Sequence, residues 1–242
     1  VLGNPPYSGH SINKGKWIED LMSDYKKSPE LKKPAQAKWL SDDYVKFIRF
    51  AQWRIEQTGH GILAFVTNHG YLDNPTFMDM RRSLLRTFDE LYLLDLHGNS
   101  KKKEKALDGG KDENVFDIQQ GVAIGIFVRR EGAQRGPDYQ GRAFRSDLYG
   151  IRSSKYDTLD AIDLQSSKWQ ELKPTAPTYL FVQQDAELLA EYEMGWSLRN
   201  VFSPNGDPAP GIVTTHDDFA ISWTAEEAVD KVERLLATAT EA

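Results

Sequence analysis

A tetrapeptide near the start of the chain, Asn4-Pro5-Pro6-Tyr7, combines residue types that can activate a weakly nucleophilic amine. The exocyclic amine of adenine is such a group, because its lone pair is delocalised into the ring. The Asn4 side-chain oxygen and the Pro5 carbonyl could accept hydrogen bonds from its two N–H groups and free the lone pair for attack on a methyl sulfonium. Consecutive prolines fix φ, so the carbonyls are held with little loss of entropy. Tyr7 offers an aromatic face on which a flipped base can stack.

The same four residues also have a simpler interpretation, because Pro-Pro segments are common in extended loops. Their position favours the chemical interpretation. The tetrapeptide directly follows the apolar residues Val1 and Leu2 and then Gly3, as a loop at the carboxyl end of a parallel strand would. Open α/β sheets bind their ligands at that end of their strands.

Downstream of the tetrapeptide, apolar residues recur at the three- and four-residue steps of one buried helix face. This spacing predicts a helix over residues 37–57. Ser41 with Asp42 and Asp43 would instead cap a start a few residues later. In either case we expect Gly59 to end the helix.

Three apolar runs predict strands at residues 62–67, 90–96 and 121–130. A helix that begins at Pro75 and ends near Phe88 is predicted between the first two strands. Strands that alternate with helices indicate an α/β layer with a mostly parallel sheet. Because no helix is predicted between the last two strands, we expect them to form an antiparallel pair at one edge of the sheet.

The remaining segments are more polar and less regular. Residues 98–113 predict a surface loop, which is longer than a compact domain usually keeps without a use for it. Further helices are predicted near residues 159–164, near residues 185–192 and over residues 225–237. Prolines and glycines between residues 204 and 211 indicate a domain boundary.

The composition excludes several classes of protein. Of the 242 residues, 40% are hydrophobic and 27% are charged, which is usual for a globular domain. No apolar run is long enough for a membrane helix. The lack of cysteine excludes disulfides, thiolate zinc sites and cysteine nucleophiles, and it fits a cytoplasmic location. We also find no spacing typical of metal ligands, so no metal is expected.

The charge argues against an extensive nucleic-acid surface, because binding phosphates requires lysine and arginine. The net charge is -6. Residues 1–110 hold 17 Lys and Arg against 14 Asp and Glu, a balance of +3, and residues 111–242 hold 13 against 22, a balance of -9. The part around the tetrapeptide is therefore mildly basic. Phosphate contacts, if the protein binds DNA, are expected on a local patch or outside these residues.

The segment 4–9 (NPPYSG) resembles the catalytic motif of the amino-methyltransferases, in the form typical of adenine-N6-specific DNA methyltransferases. The order of the downstream elements is also similar to that family. The predicted helix 37–57 and strand 62–67 come first and are followed by residues 68–72. The strand 90–96 comes next and is followed by residues 114–118, which lead into residues 121–124. The methylase part of large single-chain restriction–modification enzymes is the most similar group. The stretch 211–219 resembles the junction at which their target-recognition region begins.

This resemblance implies an enzyme that transfers a methyl group from S-adenosylmethionine to the N6 amine of a flipped adenine in double-stranded DNA. It implies a cytoplasmic restriction–modification system with no membrane attachment. The implied fold is α/β, the C-terminal half of a Rossmann-like methyltransferase. Residues 1–195 would be the catalytic domain without its N-terminal cofactor-binding half, and residues 196–242 a linker and the beginning of a target-recognition region. In the large single-chain restriction–modification enzymes, helicase or nuclease regions share the polypeptide with the methylase part, which makes them candidates for the rest of the full-length chain.

The resemblance also implies roles for individual residues. Asn4, Pro5, Pro6 and Tyr7 would hold the flipped adenine. Phe116 is a candidate for a second stacking contact, and an ordinary core phenylalanine is the alternative for it.

The cofactor-binding residues are expected upstream of Val1, because the pair Gly109-Gly110 neither follows a predicted strand nor opens a helix. We therefore predict that these 242 residues alone bind the cofactor weakly and do not methylate.

Several polar residues near the motif are weaker candidates. The lysines that could contact DNA phosphates are Lys14, Lys16, Lys101, Lys102 and Lys103, and a solvated loop explains each of them as well. His10 and His69 also lie near the proposed site. Lone histidines are more often structural, and the chemistry does not require one.

Other substrates, or no catalysis at all, are the alternatives. Enzymes that methylate a glutamine amide in translation release factors use the same tetrapeptide, but they need little chain after it, whereas about 235 residues follow here. An RNA amino-methyltransferase is poorly separated from the DNA enzyme by sequence. A non-catalytic nucleic-acid-binding module is disfavoured by the intact tetrapeptide.

Overall fold

A six-stranded sheet is the centre of the first 183 residues in the computed structural model, which describes residues 1–7, 9, 11–33, 35–197, 219 and 221–239. The strands are β1 (Leu2–Gly3), β2 (Gly61–Asn68), β3 (Glu90–His97), β4 (Val122–Arg129), β5 (Arg142–Asp147) and β6 (Gln170–Leu172). Their order across the sheet is β1-β2-β4-β3-β5-β6. Strands β1, β2, β3 and β5 run in one direction, and β4 and β6 run in the other.

The predicted fold class is confirmed. The three strands predicted from apolar runs are β2, β3 and β4, each within one residue of the predicted bounds. Strands β3 and β4 pair antiparallel, as expected. The pair lies inside the sheet rather than at an edge, because β4 also pairs with β2, and β3 continues into β5 and β6. Strands β5 and β6 are mostly polar, so no apolar run marked them.

The described part of the first 183 residues contains four α-helices, and two further α-helices belong to the described part of residues 184–242. They are α1 (Lys16–Met22), α2 (Asp43–Thr58), α3 (Met78–Thr87), α4 (Arg152–Ala161), α5 (Ala186–Glu193) and α6 (Ala225–Ala239). Short 3-10 helices precede α2 and α3, at Lys38–Ser41 and Pro75–Phe77. The helix predicted near residues 159–164 is observed as α4 and begins seven residues earlier than predicted.

Helix α2 has the later of the two predicted starts. The Asp42 carboxylate accepts a hydrogen bond from the backbone N–H of Tyr44 and so caps the helix. Gly59 ends it in the left-handed conformation, with φ of 80°. Phe47 of α2 is 43% exposed, although its neighbour Ile48 is buried.

The two faces of the sheet bury unequal apolar clusters, because successive strand residues point to opposite faces. The large cluster packs under α1, α2 and α3 and includes Met22, Tyr44, Ile48, Leu63, Leu84, Leu93 and Phe127. The small cluster, with Leu159 of α4 packed against it, consists of Leu94, Leu96, Val115 and Val122. In β3, Leu93 therefore contributes to one cluster and its neighbour Leu94 to the other.

A fully buried ion pair lies between the loop after β3 and helix α4. Lys155 Nζ is 2.8 Å from Asp112 Oδ1, and both side chains are 0% exposed. The ammonium also donates to two backbone carbonyls at 2.7 Å each. Asp112 accepts the backbone N–H groups of Gly98 at 2.6 Å and Gly150 at 2.8 Å. Because every one of these polar groups has a partner, the pair fixes both ends of the loop.

Residues 184–242 form a second compact unit. Within its described part, α5 is capped by Asp185, and α6 has exposed apolar residues such as Val229 and Leu236. The domain boundary predicted at residues 204–211, and residues 211–218 of the stretch 211–219 that resembles a domain junction, lie outside the described residues. The assignment of residues 1–195 and 196–242 to functional regions stays a prediction. Among the described residues no helix is long and apolar enough to cross a membrane.

We expect the substitution Lys155→Ala to destabilise the protein by about 3–5 kcal/mol, because it leaves the Asp112 carboxylate buried without its cation. Urea unfolding followed by circular dichroism measures this change. Lys168→Ala is the matched control, since Lys168 is exposed, and it should change the unfolding free energy by less than about 0.5 kcal/mol. Equal effects of the two substitutions would contradict the structural role of the pair.

Candidate functional site

The tetrapeptide begins where the short strand β1 ends. Leu2 pairs in parallel with Ala64, and Gly3 pairs with Phe65. Gly3 permits this close approach, because a Cβ atom at its position would lie 3.2 Å from the Phe65 ring. Asn4 is therefore the first residue beyond the carboxyl end of a parallel strand, the edge at which open α/β sheets bind ligands.

The four residues differ in exposure. Asn4 and Pro6 are exposed, Tyr7 is half-buried and Pro5 is buried. The Tyr7 hydroxyl donates to Asn4 Oδ1 at 3.4 Å, which is long for an O–H···O bond. The Asn4 oxygen thus faces solvent with only a weak internal partner, and another donor can replace that partner.

Two buried tyrosines, Tyr44 and Tyr71, support the ring of Tyr7. Its ring meets Tyr44 edge-on, with the centroids 6.3 Å apart, and Tyr44 lies 6.4 Å from Tyr71. Tyr44 is only 2% exposed and belongs to the first turn of α2. Burial raises the pKa of Tyr7 to about 12, so its hydroxyl keeps its proton at neutral pH.

Phe116 and Tyr7 are both half-buried and pack against the same small cluster. The turn that carries Phe116 is held by polar contacts that the sequence did not predict. Asn114 accepts the Phe116 backbone N–H at 2.8 Å and donates to two other backbone carbonyls at 3.1 and 2.6 Å. Arg152 donates to the Phe116 carbonyl at 3.0 Å. The role of Phe116 as a stacking contact stays a prediction.

A buried polar network occupies the same edge of the sheet, centred on Asp95 of β3. Asp95 Oδ1 lies 3.0 Å from His69 Nδ1 and accepts the backbone N–H of His97 at 2.9 Å. Its other oxygen accepts from Arg145 Nη2 at 2.8 Å. Burial alone raises the pKa of Asp95, but the hydrogen bond from His69 and the neighbouring positive charges outweigh it and lower the pKa.

His97 forms the outer part of this network. Its Nε2 is 2.8 Å from Asp147 Oδ1, and its ring stacks on Tyr149 with the centroids 3.8 Å apart. Burial alone lowers the pKa of His97, but the hydrogen bonds with Asp147 and Glu104 and the charge of Asp95 raise it to about 9. His97 is therefore a cation at neutral pH.

Sequence patterns did not reveal this network, because its members lie in separate segments of the chain. A visible signal was Asp95, a carboxylate inside an apolar run. Two groups of residues bring potential metal-ligating atoms, one from each side chain, within 4.8 Å of one another. They are His69, His97 and Glu104, and Asp95, His97 and Asp147. Most of these atoms already bond within the network, which explains their approach without a metal ion.

The lysines predicted as phosphate contacts are all exposed: Lys14, Lys16, Lys101, Lys102 and Lys103. Lys102 pairs with Asp73 at 3.1 Å. Their contact with DNA stays a prediction. His69 is buried with Asp95 and Asn99 as partners, and His10 lies outside the described residues.

The described residues do not identify a cofactor cradle. The glycine pair 109–110 lies in a hairpin turn. At the junction between β5 and α4, the backbone N–H of Gly150 donates to Asp112 at 2.8 Å, and that of Arg152 donates to Glu113 at 2.9 Å. Because carboxylates already occupy these amides, the junction does not fit an anionic group of a cofactor.

No protein-family model matches the chain, and no curated protein sequence matches it. Solved structures do. The ATP-dependent Type ISP restriction–modification enzyme LlaBIII bound to DNA has a TM-score of 0.67 and 21% identity, over 96% of this chain and 16% of that chain. A nuclease-deletion mutant of the Type ISP enzyme LlaGI, in complex with a DNA substrate mimic, has a TM-score of 0.62 and 22% identity, over 78% of this chain and 16% of that chain.

The chain has the methyltransferase-like fold of the Type ISP enzymes. A complex of DrdV with DNA is also similar, with a TM-score of 0.60 and 24% identity over 100% of this chain and 24% of that chain. The likeness at these identities concerns the fold. The chain spans less than a quarter of the length of each of these proteins, so for this chain the activities of the whole proteins are proposals.

We expect His97→Gln to change the pH dependence of stability. The folded-state pKa of about 9 lies above the usual 6.5, so the stabilisation by His97 is fully present below pH 6.5 and is lost as the pH rises through 9. The free energy of unfolding of wild type should therefore exceed that of the variant by on the order of 2 kcal/mol at acidic pH. This value is reduced for solvent screening, because Asp147 is partly exposed. Urea unfolding across this range measures the difference, and parallel pH curves would contradict the assignment.

Proposed function

We propose that this chain carries the adenine-binding part of a DNA methyltransferase that modifies the N6 amine within a restriction–modification system. The observation that carries the proposal is the position of the Asn4-Pro5-Pro6-Tyr7 segment directly at the carboxyl end of parallel strand β1. The methyltransferase-like fold supports it, and the structures with similar folds are enzymes or complexes solved with DNA or a DNA mimic.

Two acceptors would activate the amine. The exposed Asn4 oxygen takes one N–H in place of its long bond with the Tyr7 hydroxyl, and the Pro5 carbonyl takes the other. The Pro5 carbonyl and the backbone that carries the Asn4 side chain are held in place by β1 and two prolines, so little reorganisation is needed when the amine becomes tetrahedral.

Aromatic side chains would hold the base. Tyr7 lies over a buried aromatic support, and Phe116 packs against the same small cluster. The proposed base lies against the Tyr7 ring, with Phe116 as the second contact. Stacking of this kind contributes about 1–3 kcal/mol per base.

S-adenosylmethionine would supply the electrophilic methyl group, so that a nitrogen–carbon bond forms as the carbon–sulfur bond breaks. The amine loses its proton afterwards, and no strong base is required. In this reaction the described residues would hold the adenine and accept the hydrogen bonds from its amine. We place the cofactor-binding residues outside them, and nuclease or helicase functions in other regions of a larger polypeptide. Lys14, Lys16 and Lys101–Lys103 are proposed phosphate contacts.

The central test is Asn4→Ala in the protein expressed from its complete open reading frame, in a bacterial host without adenine methyltransferases. We expect wild type to produce N6-methyladenine in genomic DNA, measured by mass spectrometry of nucleosides. Asn4→Ala should lower the rate of methylation at least about a hundredfold, the usual cost of one preorganised transition-state hydrogen bond. DNA binding should remain.

The control is Gln165→Ala, which removes an exposed amide away from the tetrapeptide. Its methylation should equal that of wild type. Unchanged methylation by Asn4→Ala would overturn the catalytic role of the tetrapeptide. Methyl groups found only in RNA, or only in protein glutamine, would overturn the choice of DNA as substrate.

A second test separates stacking by Tyr7 from its hydroxyl. Tyr7→Phe keeps the ring, so methylation should stay within a few-fold of wild type. Tyr7→Leu keeps an apolar side chain against the small cluster but loses the stacking surface, and we expect a loss of about 5- to 150-fold, equivalent to 1–3 kcal/mol. Steady-state kinetics on duplex DNA measures both variants. Equal rates for the two would count against a stacking role.

A further inference from the structure

The loop after β3 ends in a small hairpin. Lys105 and Lys111 form an antiparallel bridge, and backbone hydrogen bonds join Ala106 to Gly109 at 2.8 Å and to Gly110 at 3.1 Å. Gly109 has φ of +82°, the left-handed conformation that lets the chain reverse. The sequence predicted a surface loop here, and the structure gives that loop a defined tip. We call residues 105–111 the hairpin.

The base of the loop is anchored on the carboxyl edge of the sheet. Asp112, paired with buried Lys155, accepts the N–H of Gly98 and so closes the loop. Asn99 bonds to His69 at 3.2 Å, and Lys102 pairs with Asp73, a few residues beyond β2. Because β2 is the neighbour of β1, the hairpin leaves the same edge as the tetrapeptide.

The hairpin and the loop beneath it carry a local positive charge on an acidic chain. Residues 99–111 contain five lysines and only two carboxylates, Glu104 and Asp108. Lys102 and Lys111 have carboxylate partners, at 3.1 Å and 2.6 Å. The other three lysines are exposed and form no ion pair with the described residues: Lys101, Lys103 and Lys105. Exposed lysines without carboxylate partners can bind phosphates without first breaking an ion pair.

An apolar side chain stands at the tip of this basic element. Leu107 is 89% exposed, although the residues on either side of the turn are small or polar. A bare leucine among lysines has no packing role within the described residues. Proteins that distort DNA commonly insert such apolar wedges between base pairs while basic residues hold the backbone.

We propose that the hairpin and the loop beneath it form a DNA-inserting element, in which Lys101, Lys103 and Lys105 bind backbone phosphates. Leu107 enters the duplex beside the flipped adenine. The inference rests on the proposed function, because a base must leave the duplex before its amine can be methylated. Leu107 stabilises the opened duplex by contacting the bases that the adenine leaves behind.

The lysines are tested through the salt dependence of binding to a mixed-sequence DNA duplex, with the protein from the complete open reading frame. Replacing Lys101, Lys103 and Lys105 by Gln should reduce the slope of log Kobs against log salt by roughly 0.9 per lost phosphate contact, about 2 to 3 in total. The double control, Lys168→Gln with Lys173→Gln, should leave the slope unchanged. An unchanged slope for the triple variant would overturn the phosphate contacts.

Leu107 is tested with two duplexes that contain the methylated sequence identified by sequencing of modified genomic DNA. In one the target adenine is paired with thymine, and in the other it is mismatched. Leu107→Ala should lower methylation of the paired duplex about tenfold and that of the mismatched duplex much less, because a mismatched base costs less to extrude. The exposed control, Leu164→Ala, should affect neither duplex.

A fluorescence measurement separates failure of the wedge from failure of the proposed function. With 2-aminopurine in place of the target adenine, wild type should raise the fluorescence as the base unstacks, and Leu107→Ala should raise it less. If wild type methylates DNA but Leu107→Ala matches Leu164→Ala in both assays, the wedge is wrong and the methyltransferase assignment stands. If wild type neither methylates DNA nor unstacks the base, both proposals are wrong.

Discussion

One buried carboxylate, that of Asp95, ties together the carboxyl ends of three strands. It contacts His69 just beyond β2, the backbone of His97 in β3 and the guanidinium of Arg145 in β5. An uncompensated charge at this depth would cost several kcal/mol, so the three partners are required once the carboxylate is there. The edge of the sheet thereby becomes a fixed platform. The tetrapeptide and the loop that carries Phe116 both start from it.

The parts of the fold that could be predicted from sequence are those that the hydrophobic effect determines. Strands β2, β3 and β4 are apolar runs, and α2 has helical spacing with an aspartate cap and a glycine end. The rest depends on polar contacts between distant residues. Helix α4 fully buries a lysine, Lys155, and β5 contributes Arg145 and Asp147 to the network. No local pattern reveals these contacts, because the partners lie about 40 to 50 positions apart in the chain.

The same distinction applies to the candidate site. Asn4 to Tyr7 are consecutive, and the chemistry proposed for them follows from their residue types alone. The position of the segment after a parallel strand was also predictable, because an apolar stub precedes it. The supports were not, since they come from other segments: Tyr44 lies under Tyr7, and Asn114 holds the turn of Phe116. Short motifs therefore indicated the chemistry, whereas the geometry that holds them required the folded chain.

The unequal size of the two apolar clusters has a consequence for motion. The large cluster fixes β2, β3 and β4 to three helices, whereas the small cluster has four buried residues and rests largely on hydrogen bonds around Asn114 and Lys155. Regions with few buried apolar contacts open at a lower free energy than the whole fold. Tyr7 packs against both clusters. Tyr7 therefore stands where a face with many buried apolar contacts meets a face with few, and the second face is the one we expect to move when a ligand binds.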